Sequence, residues 1–341
     1  MNGRMQRHST VRASSPTAFA SPVVDGRMRV VALGGGHGLA ANLRAVRHVA
    51  SHITAVVTVA DNGGSSGRIR RELPILPPGD LRMALSALCE DSDWGLVWRD
   101  VVQHRFRTDG DLDGHSLGNL LIVALWQIFG DPILALDHVG ALLGARGRVL
   151  PMALEPLDIE ATVTDSAGSS QVVQGQAQVA EARGHVDAVR LIPSEPAVPA
   201  EVLDAIHAAD WIILGPGSWF SSVIPHLLVP EIAQAIIESP ARLMITMNLT
   251  SDPTETEGMG SVDHVEALFS VAPGLTVDAL IADPTMLDDY DQLIEFAHQR
   301  GISPILRQVS VGGGVPQHDP VRLAAAYRDA FDGATSDLRK E

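Results

Sequence analysis

The sequence predicts an α/β fold, a doubly wound and mostly parallel sheet with an inserted antiparallel β meander. Short aliphatic runs alternate with segments of helical spacing along most of the chain, which is typical of strands joined by covering helices. Apolar residues make up 45% of the chain and aromatic residues only 4%, and such an aliphatic core suits a parallel sheet buried on both faces. Between residues 148 and 193, short β-branched segments separated by turn residues break the alternation and predict the meander.

The predicted elements follow this alternation on both sides of the meander. The strands of the main sheet are predicted at residues 29–33, 53–59, 211–214, 243–249, 277–283 and 302–310. Helices are predicted at residues 39–49, 81–89, 94–106, 117–129, 133–143, 202–208, 231–238, 262–270, 287–298 and 319–331, with Asp80 and Ser116 at N-cap positions. The meander takes in residues 149–154, 159–165, 171–181 and 186–193. We therefore expect one domain over residues 28–332, between disordered tails at 1–27 and 333–341.

Composition excludes several classes of partner and location. The net charge of −16 repels phosphate backbones and anionic lipid surfaces, so we expect no nucleic acid and no membrane as partner. The only cysteine, Cys89, cannot form an internal disulfide, which fits a cytoplasmic protein. The longest apolar run, residues 120–129, is too short to span a bilayer and contains Gln127.

Glycine-rich loops follow three of the predicted strands. GGGHG comes after the first strand, DNGGSSG after the second and GPGS after the strand at Trp211, while NLTSDPTETEG follows the strand at 243–249. The carboxyl ends of parallel strands lie at one edge of a sheet, and ligands of doubly wound sheets bind there. These loops therefore predict the binding site.

The first loop satisfies the dinucleotide fingerprint. Gly36, Gly38 and Ala41 form G-x-G-x-x-A, and Asp61 stands about twenty residues further on, where an acid can hold a ribose. NAD(P) is therefore one candidate ligand, and an oxidoreductase one candidate function. A glycine turn of this kind also occurs between a strand and a helix with no ligand at all.

The second loop is rich in groups that bind anions. Gly63, Gly64 and Gly67 permit a nest of backbone N–H groups, and Ser65, Ser66 and Arg68 add side-chain donors. Two such loops side by side could hold two phosphates, although a flexible surface connection is the alternative.

Two further motifs place polar side chains near this edge. In GHSLGN, His115 and Asn119 are four residues apart at a helix start, so His115 could bind phosphate or act as a general acid, or could simply cap the helix. In GPGSWFSS, Ser218 could bond a ligand, and Trp219 and Phe220 could cover a base or sugar or belong to the core. We find no convincing pair of nucleophile and base, and no G-x-S-x-G, Walker lysine or HExxH pattern.

Six motifs in order, GGGHGL, VADNGGSSGRIR, PPGDLR, GHSLGNLL, GPGSWFSSVIPHLLV and NLTSDPTETEG, resemble the YvcK family of gluconeogenesis factors. The likeness runs from about residue 29 to about residue 323, and the arginine-rich start is similar to the CuvA-like members. The larger superfamily includes 2-phospho-L-lactate transferase. The resemblance implies a cytosolic, Rossmann-like protein that binds UDP-sugars, UDP-N-acetylglucosamine above all.

The resemblance also implies a biological role without turnover. Members of the family are needed for cell shape and for growth on gluconeogenic carbon, and they direct carbon toward peptidoglycan precursors, so a protein partner in that synthesis or in the cell-wall machinery is expected. Some members are regulated by Ser/Thr kinases, and Thr335 and Ser336 in the acid-flanked tail are the candidate targets here. The oligomeric state is left open, with a homodimer as one alternative.

The binding positions carried over from the family lie in five of the motifs. They are Gly34, Gly35, Gly36, His37, Gly38, Leu39, Asp61, Asn62, Gly63, Gly64, Ser65, Ser66, Arg68, Gly79, Asp80, Arg82, His115, Asn119, Gly215, Gly217 and Ser218. No catalytic residue and no metal ligand is assigned.

The chain departs from the family pattern at several positions. His37 replaces a threonine, Gln317 replaces an arginine, and Asn62 replaces a second aspartate, which puts Mg²⁺ binding in doubt. Further departures are Met83, Asp252 and Thr254. The alternative to a regulator is a metal-dependent transferase of the 2-phospho-L-lactate transferase type, with Asp61 or Asp80 at the metal and His115 as acid.

Overall fold

A seven-stranded parallel sheet forms the centre of the computed structural model, which describes residues 28–337 except 166–167, 183 and 251–258. The described strands are β1 Arg29–Gly34, β2 His52–Val57, β3 Arg148–Pro151, β4 Asp158–Thr164, β5 Ser170–Gln174, β6 His185–Ile192, β7 Trp211–Leu214, β8 Arg242–Thr246, β9 Ala279–Ala282 and β10 Ser303–Leu306. The order in the main sheet is β10-β9-β8-β7-β1-β2-β3, and β4 to β6 form a separate antiparallel sheet of order β5-β4-β6. The predicted α/β class is confirmed.

Most of the described helices connect strands of the main sheet, whereas the helix at Gln176–Glu181 lies within the insertion and the one at Pro320–Asp337 follows the last strand. The described helices are α1 Gly36–Val46, α2 Gly64–Glu72, α3 Pro78–Leu88, α4 Asp93–Gln103, α5 Leu117–Phe129, α6 Pro132–Leu143, α7 Gln176–Glu181, α8 Ala200–His207, α9 Ile224–Leu228, α10 Pro230–Glu238, α11 Ser261–Val271, α12 Tyr290–Gln299 and α13 Pro320–Asp337. A π-helical turn, Trp219–Val223, leads into α9. The inner strands are aliphatic and fully buried, as in β7, where all four residues are buried, so hydrophobic burial fixes their place in the sheet.

The direction in which successive strands are added across the sheet reverses at β1: β2 and β3 lie on one side of it, and β7 to β10 on the other. Its neighbours are β2 on one side and β7 on the other, each paired in parallel register. Such a reversal opens a crevice at the carboxyl ends of the two central strands, which is where ligands of doubly wound sheets bind. The loops after β1 and β7 are the glycine loops that the sequence singled out.

The inserted sheet begins later than predicted. The run at 149–154 was expected to open the meander, but β3 pairs in parallel with β2, with Arg148 opposite Thr54. The antiparallel strands start at Asp158, and β4 alternates between buried and partly exposed residues because one face covers the core. The segment at 171–181 was predicted as one strand, but it divides into β5 and α7 at Gly175. The φ of Gly175 is +101°, a conformation that glycine adopts more readily than other residues.

Three helix starts also differ from the prediction. The segment GGSSGR, read as a loop, begins α2 at Gly64, and α1 begins at Gly36 rather than at residue 39. Asp80 is not an N-cap, because Pro77 takes that position and Asp80 lies in the first turn of α3. Ser116 is the N-cap residue of α5, but its hydroxyl donates to the Val102 carbonyl over 2.9 Å instead of accepting from the helix.

The last helix continues to Asp337, so it includes residues 333–337 of the predicted tail, Thr335 and Ser336 among them. The predicted tail at 1–27, residues 338–341 and the part of NLTSDPTETEG at 251–258, with Asp252 and Thr254, lie outside the described residues.

Across the described part of the chain, no single helix has both the length and the apolar character needed to cross a membrane. One bent pair, Trp219–Leu228 with Pro230–Glu238, meets the length and composition test when taken together, with a bend of 76°.

Candidate functional site

The turns after β1 and β7 touch each other through their backbones. We call residues 34–38 and 215–218 the switch-point turns. A Cβ atom added at Gly38 would lie 2.2 Å from the carbonyl oxygen of Pro216 and 2.6 Å from the Cα of Gly217. At Gly35 it would lie 2.5 Å from Cγ2 of Thr58 and 2.7 Å from Oδ2 of Asp80. A side chain at Gly38 would therefore collide with the backbone of the other turn, and one at Gly35 with the side chains of Thr58 and Asp80.

Two asparagines that the sequence analysis missed hold the turn after β7. Asn248 exchanges two hydrogen bonds with Gly217, accepting from its N–H over 2.9 Å and donating to its carbonyl over 2.8 Å. The buried Asn42, on α1, donates to the carbonyl of Gly215 over 2.8 Å. Isolated amides in apolar elements have no local pattern, although Asn248 lies near the end of the predicted strand at 243–249 and opens the motif NLTSDPTETEG.

Two helices begin at this crevice without an acidic residue in the first turn. They are α1 at Gly36 and α2 at Gly64. A helix N-terminus carries a partial positive charge, and an acidic residue there would neutralise it. Both helix starts are therefore suited to an anionic ligand. Leu39, one of the predicted binding positions, has its side chain buried in the core.

Asp61 lies close enough to Asp80 for its charge to act on the Asp80 carboxyl. Oδ1 of Asp61 accepts from the N–H of Gly63 over 2.8 Å, and a Cβ at Gly79 would lie 3.1 Å from Oδ2 of Asp61. Ser66 completes this packing by accepting from the N–H of Gly79 over 3.0 Å. Burial, and then the nearby charge of Asp61, raise the pKa of Asp80 to about 7, while the Gly36 N–H and Arg82 act in the opposite direction. Both the protonated and the ionised form of Asp80 are therefore populated near neutral pH.

A chain of four side chains runs beside this carboxylate pair, and we call it the Ser65 network. Nε of the buried Arg82 donates to Oδ1 of Asn119 over 2.8 Å. The amide of Asn119 in turn donates to Oγ of Ser65 over 3.1 Å. Oγ of Ser65 lies 3.0 Å from Nδ1 of His115. Because the serine oxygen already accepts from Asn119, every group is paired when its hydroxyl donates to Nδ1.

This direction of donation places the proton of neutral His115 on Nε2, as a donor for a ligand. Burial, and then the charge of Arg68, lower the pKa of His115 and favour the neutral ring. Burial also lowers the pKa of Arg82 to about 10. A pair of nucleophile and base is not recognisable from the sequence alone, but Ser65 and His115 are such a pair by distance.

Arg68 and Asn62 contact protein rather than open space. The guanidinium of Arg68 donates to the carbonyl of Asp113 over 2.6 Å and to that of Asp111 over 3.4 Å, so its fork is not aimed at a phosphate as expected. The amide of Asn62 accepts from the N–H of Ala177 and donates to Gln178, each over 3.1 Å. Asn62 therefore joins the second loop to α7. An ionised aspartate could accept from Ala177 but could not donate to Gln178, because a carboxylate has no hydrogen to donate.

A cavity of about 460 Å³ opens between the switch-point turns and the chain before α13. His37, Gly38, Gly217 and Ser218 line it from the turns, and Gln317 lines it from the chain before α13. Two of the departures from the family pattern thus meet at one cavity.

The two aromatic residues of GPGSWFSS are both buried. Phe220 packs in the core, whereas Trp219 lines a second cavity of about 220 Å³ that shares Asn248 and Thr250 with the larger one. Among the residues that the structure describes, no three His, Cys, Asp or Glu side chains gather closely enough to hold a metal ion.

Comparisons with known proteins agree with this architecture. Residues 30–304 match the family model described as 2-phospho-L-lactate transferase CofD. A Mycobacterium tuberculosis protein named putative gluconeogenesis factor is 46% identical over 302 residues, covering 87% of this chain and 88% of the relative. The gluconeogenesis factor of Bacillus subtilis is 42% identical over 70% of this chain and 74% of its own length. A crystal structure of a Bacillus halodurans protein superposes with a TM-score of 0.78 at 33% identity, covering 88% of this chain and 99% of that one.

Proposed function

This chain belongs to the CofD family, and we propose that within this family it is a regulator that binds a UDP-sugar, with UDP-N-acetylglucosamine as the first candidate. The observation that carries the proposal is the close packing of the two glycine turns at the point where the strand order reverses. Two helix starts with no acidic residue point to an anionic ligand there. We place the diphosphate in the cavity that these turns line, where Ser218 would be a donor.

The names of the relatives support the biological part of the proposal. Relatives at 42–46% identity are named gluconeogenesis factors or putative gluconeogenesis factors. We therefore infer a role in growth on gluconeogenic carbon and in cell shape, with carbon directed to peptidoglycan precursors through a protein partner in the cytoplasm. Phosphorylation of Thr335 or Ser336 by a Ser/Thr kinase would regulate that contact, and intact mass measurement of the protein from cells tests it.

Calorimetry on the full chain tests the ligand. We expect UDP-N-acetylglucosamine to bind without added metal, and GDP and NADPH to bind more weakly. The variant His37→Asp adds a negative charge to the first turn of α1 at an exposed position and should weaken binding at least about tenfold through charge repulsion. An acid in this turn favours the helix, so folding is expected to be retained.

The matched control is His52→Asp, an equally exposed histidine at the amino end of β2, away from the crevice. It should bind like the parent protein. Absence of heat with every UDP-sugar, or unchanged affinity in His37→Asp, would contradict the proposal.

The second candidate is a metal-dependent transferase, and the Asp61–Asp80 pair favours it. Mg²⁺ is commonly held by one or two carboxylates together with substrate phosphates, so the pair fits this ion. Bound Mg²⁺ would neutralise phosphate charge in a transfer, and His115 would supply a proton. Mass spectrometry after incubation with nucleotide-sugar and deazaflavin substrates and Mg²⁺ decides between the two. Product formation favours the transferase, whereas metal-independent binding without product favours the regulator.

A further inference from the structure

The smaller cavity has both apolar and polar walls. Its apolar residues are Trp219, Met247, Met286 and Leu287, and its polar residues are Asn248, Thr250, Ser261, His264 and Asp288. It shares Asn248, the residue that also holds Gly217, with the lining of the larger cavity. We call it the Trp219 cavity. A ligand whose phosphates lie at the switch-point turns could therefore extend into it.

The proton of His264 can be located from its contacts. The residue is only 4% exposed, and its Nδ1 lies 2.8 Å from the carbonyl oxygen of Gly260. A carbonyl can only accept, so Nδ1 carries the hydrogen. Burial lowers the pKa of His264 and favours the neutral ring. Its Nε2 is then a lone-pair acceptor.

This acceptor has no partner among the described residues. Nε2 of His264 is buried and makes no hydrogen bond. Buried polar atoms are nearly always paired, and an unpaired one destabilises the fold unless a ligand supplies its partner. The wall of the Trp219 cavity is where a ligand donor could reach His264.

The ring is also held in place. Its edge-to-face contact with Trp219 has a centroid separation of 5.5 Å and an interplanar angle of 85°. The indole N–H of Trp219 donates to the His264 carbonyl over 2.6 Å. An acceptor fixed in this way is preorganised and loses little freedom when a donor arrives.

We propose that the Trp219 cavity receives the pyrimidine base of the nucleotide sugar and that Nε2 of His264 accepts a hydrogen bond from the ring N–H of uracil. The inference rests on the proposed function and adds the basis of its base specificity. A base has flat apolar faces, which can pack against the apolar residues of the wall, and uracil has one ring N–H, which the unpaired Nε2 of His264 can accept.

The ligand itself provides the first test. Calorimetry on the full chain compares UDP-N-acetylglucosamine with its N3-methylated uracil analogue and with CDP-N-acetylglucosamine. Methylation removes the donor, and cytosine has an acceptor at the same ring position, so both should bind roughly tenfold more weakly. Equal affinity of the three ligands would overturn the inference and leave UDP-sugar binding intact. Failure of all three to bind would overturn the proposed function, and the inference with it.

Two variants of His264 locate the effect. In His264→Asn the amide can still donate to Gly260 but offers no acceptor at the Nε2 position, so it should bind the parent ligand about tenfold more weakly and no longer distinguish the methylated one. In His264→Gln the amide oxygen can occupy the Nε2 position, and discrimination should be partly restored. Thermal unfolding without ligand shows whether each variant is folded. Full discrimination in folded His264→Asn would place the base elsewhere and overturn the inference.

Discussion

The switch-point turns and the Ser65 network lie in the same crevice but are held in different ways. The turns meet backbone to backbone, with a Cβ at Gly38 only 2.2 Å from the Pro216 carbonyl oxygen. The network is made of side chains, from Arg82 through Asn119 and Ser65 to His115, over bonds of 2.8 to 3.1 Å. The switch-point turns therefore keep their shape because they have no side chains between them, whereas the Ser65 network keeps its shape because its donors and acceptors are paired.

This difference separates two kinds of sensitivity to mutation. A backbone contact cannot adjust when an atom is inserted, because the carbonyl is part of the fold. A side-chain network can lose a member and still pack, but it then contains buried groups without partners. The first kind of change should displace the turns, and the second should change protonation and polarity while the backbone stays in place.

The largest effect is expected for Gly38→Ala. The added methyl group would force the two turns apart, so we expect a loss of about 3 kcal/mol in the free energy of unfolding, together with loss of UDP-sugar binding. Urea unfolding and calorimetry measure both quantities. Gly110→Ala is the control, because nothing lies within 4 Å of the added atom. Equal stability of the two variants would mean that the turns are not in contact.

A smaller effect is expected for Asn119→Ala. The change removes the partner of the Arg82 guanidinium, which is 4% exposed, and one partner of the Ser65 hydroxyl. We expect a loss of about 2 kcal/mol with the ligand-free fold intact by circular dichroism. The exposed pair of Arg99 and Asp100 supplies the control, since Asp100→Ala should cost less than about 1 kcal/mol. A neutral Asn119→Ala would show that the network carries no net stabilisation.

Asp80 links the two regions and gives a prediction about pH. Folding raises the pKa of Asp80 from 3.8 to about 7, so the folded state binds the proton more tightly than the unfolded state does. The resulting stabilisation is present at low pH and is lost as the pH rises through 7. Asp80→Asn does not ionise, so its free energy of unfolding should exceed that of the parent by on the order of 2 kcal/mol at pH 8 and converge with it toward pH 4.

Urea unfolding at pH 4.5, 6, 7 and 8 measures this difference for Asp80→Asn. The exposed Asp109→Asn is the control and should show no such trend. A difference that stays constant across this range would mean that the carboxyl does not change its pKa on folding.

The sequence predicted the sheet better than it predicted the connections. Aliphatic runs gave β1, β2 and β7 to β10 because burial fixes where such runs lie. A run at 149–154 has the same composition whether it joins the main sheet or the insertion, and only its pairing with β2 decides between them. The helix α2 was missed because GSSGRIRRE opens with residues of low helix propensity. Its support is tertiary, including the buried Ile69 and the bond from Gly79 to Ser66.

The site shows the same division. Glycine loops at strand ends were visible as motifs, and the structure brings the turns after β1 and β7 together. Asn42, Asn248 and His264 were not visible, because a single polar residue acquires its role only from the partner that folding supplies.

The smallest effect is expected where the second loop meets the inserted sheet. Asn62 holds α7 through two bonds of 3.1 Å to Ala177 and Gln178. In Asn62→Ala both bonds are lost, so we expect a loss of about 1 kcal/mol confined to α7. Hydrogen exchange should quicken at residues 176–181 and stay unchanged in α5, which the Ser65 network holds independently. If exchange quickened equally in α7 and α5, the loop that carries Asn62 and the Ser65 network would unfold as one cooperative unit. The insertion would then not be held independently of the network.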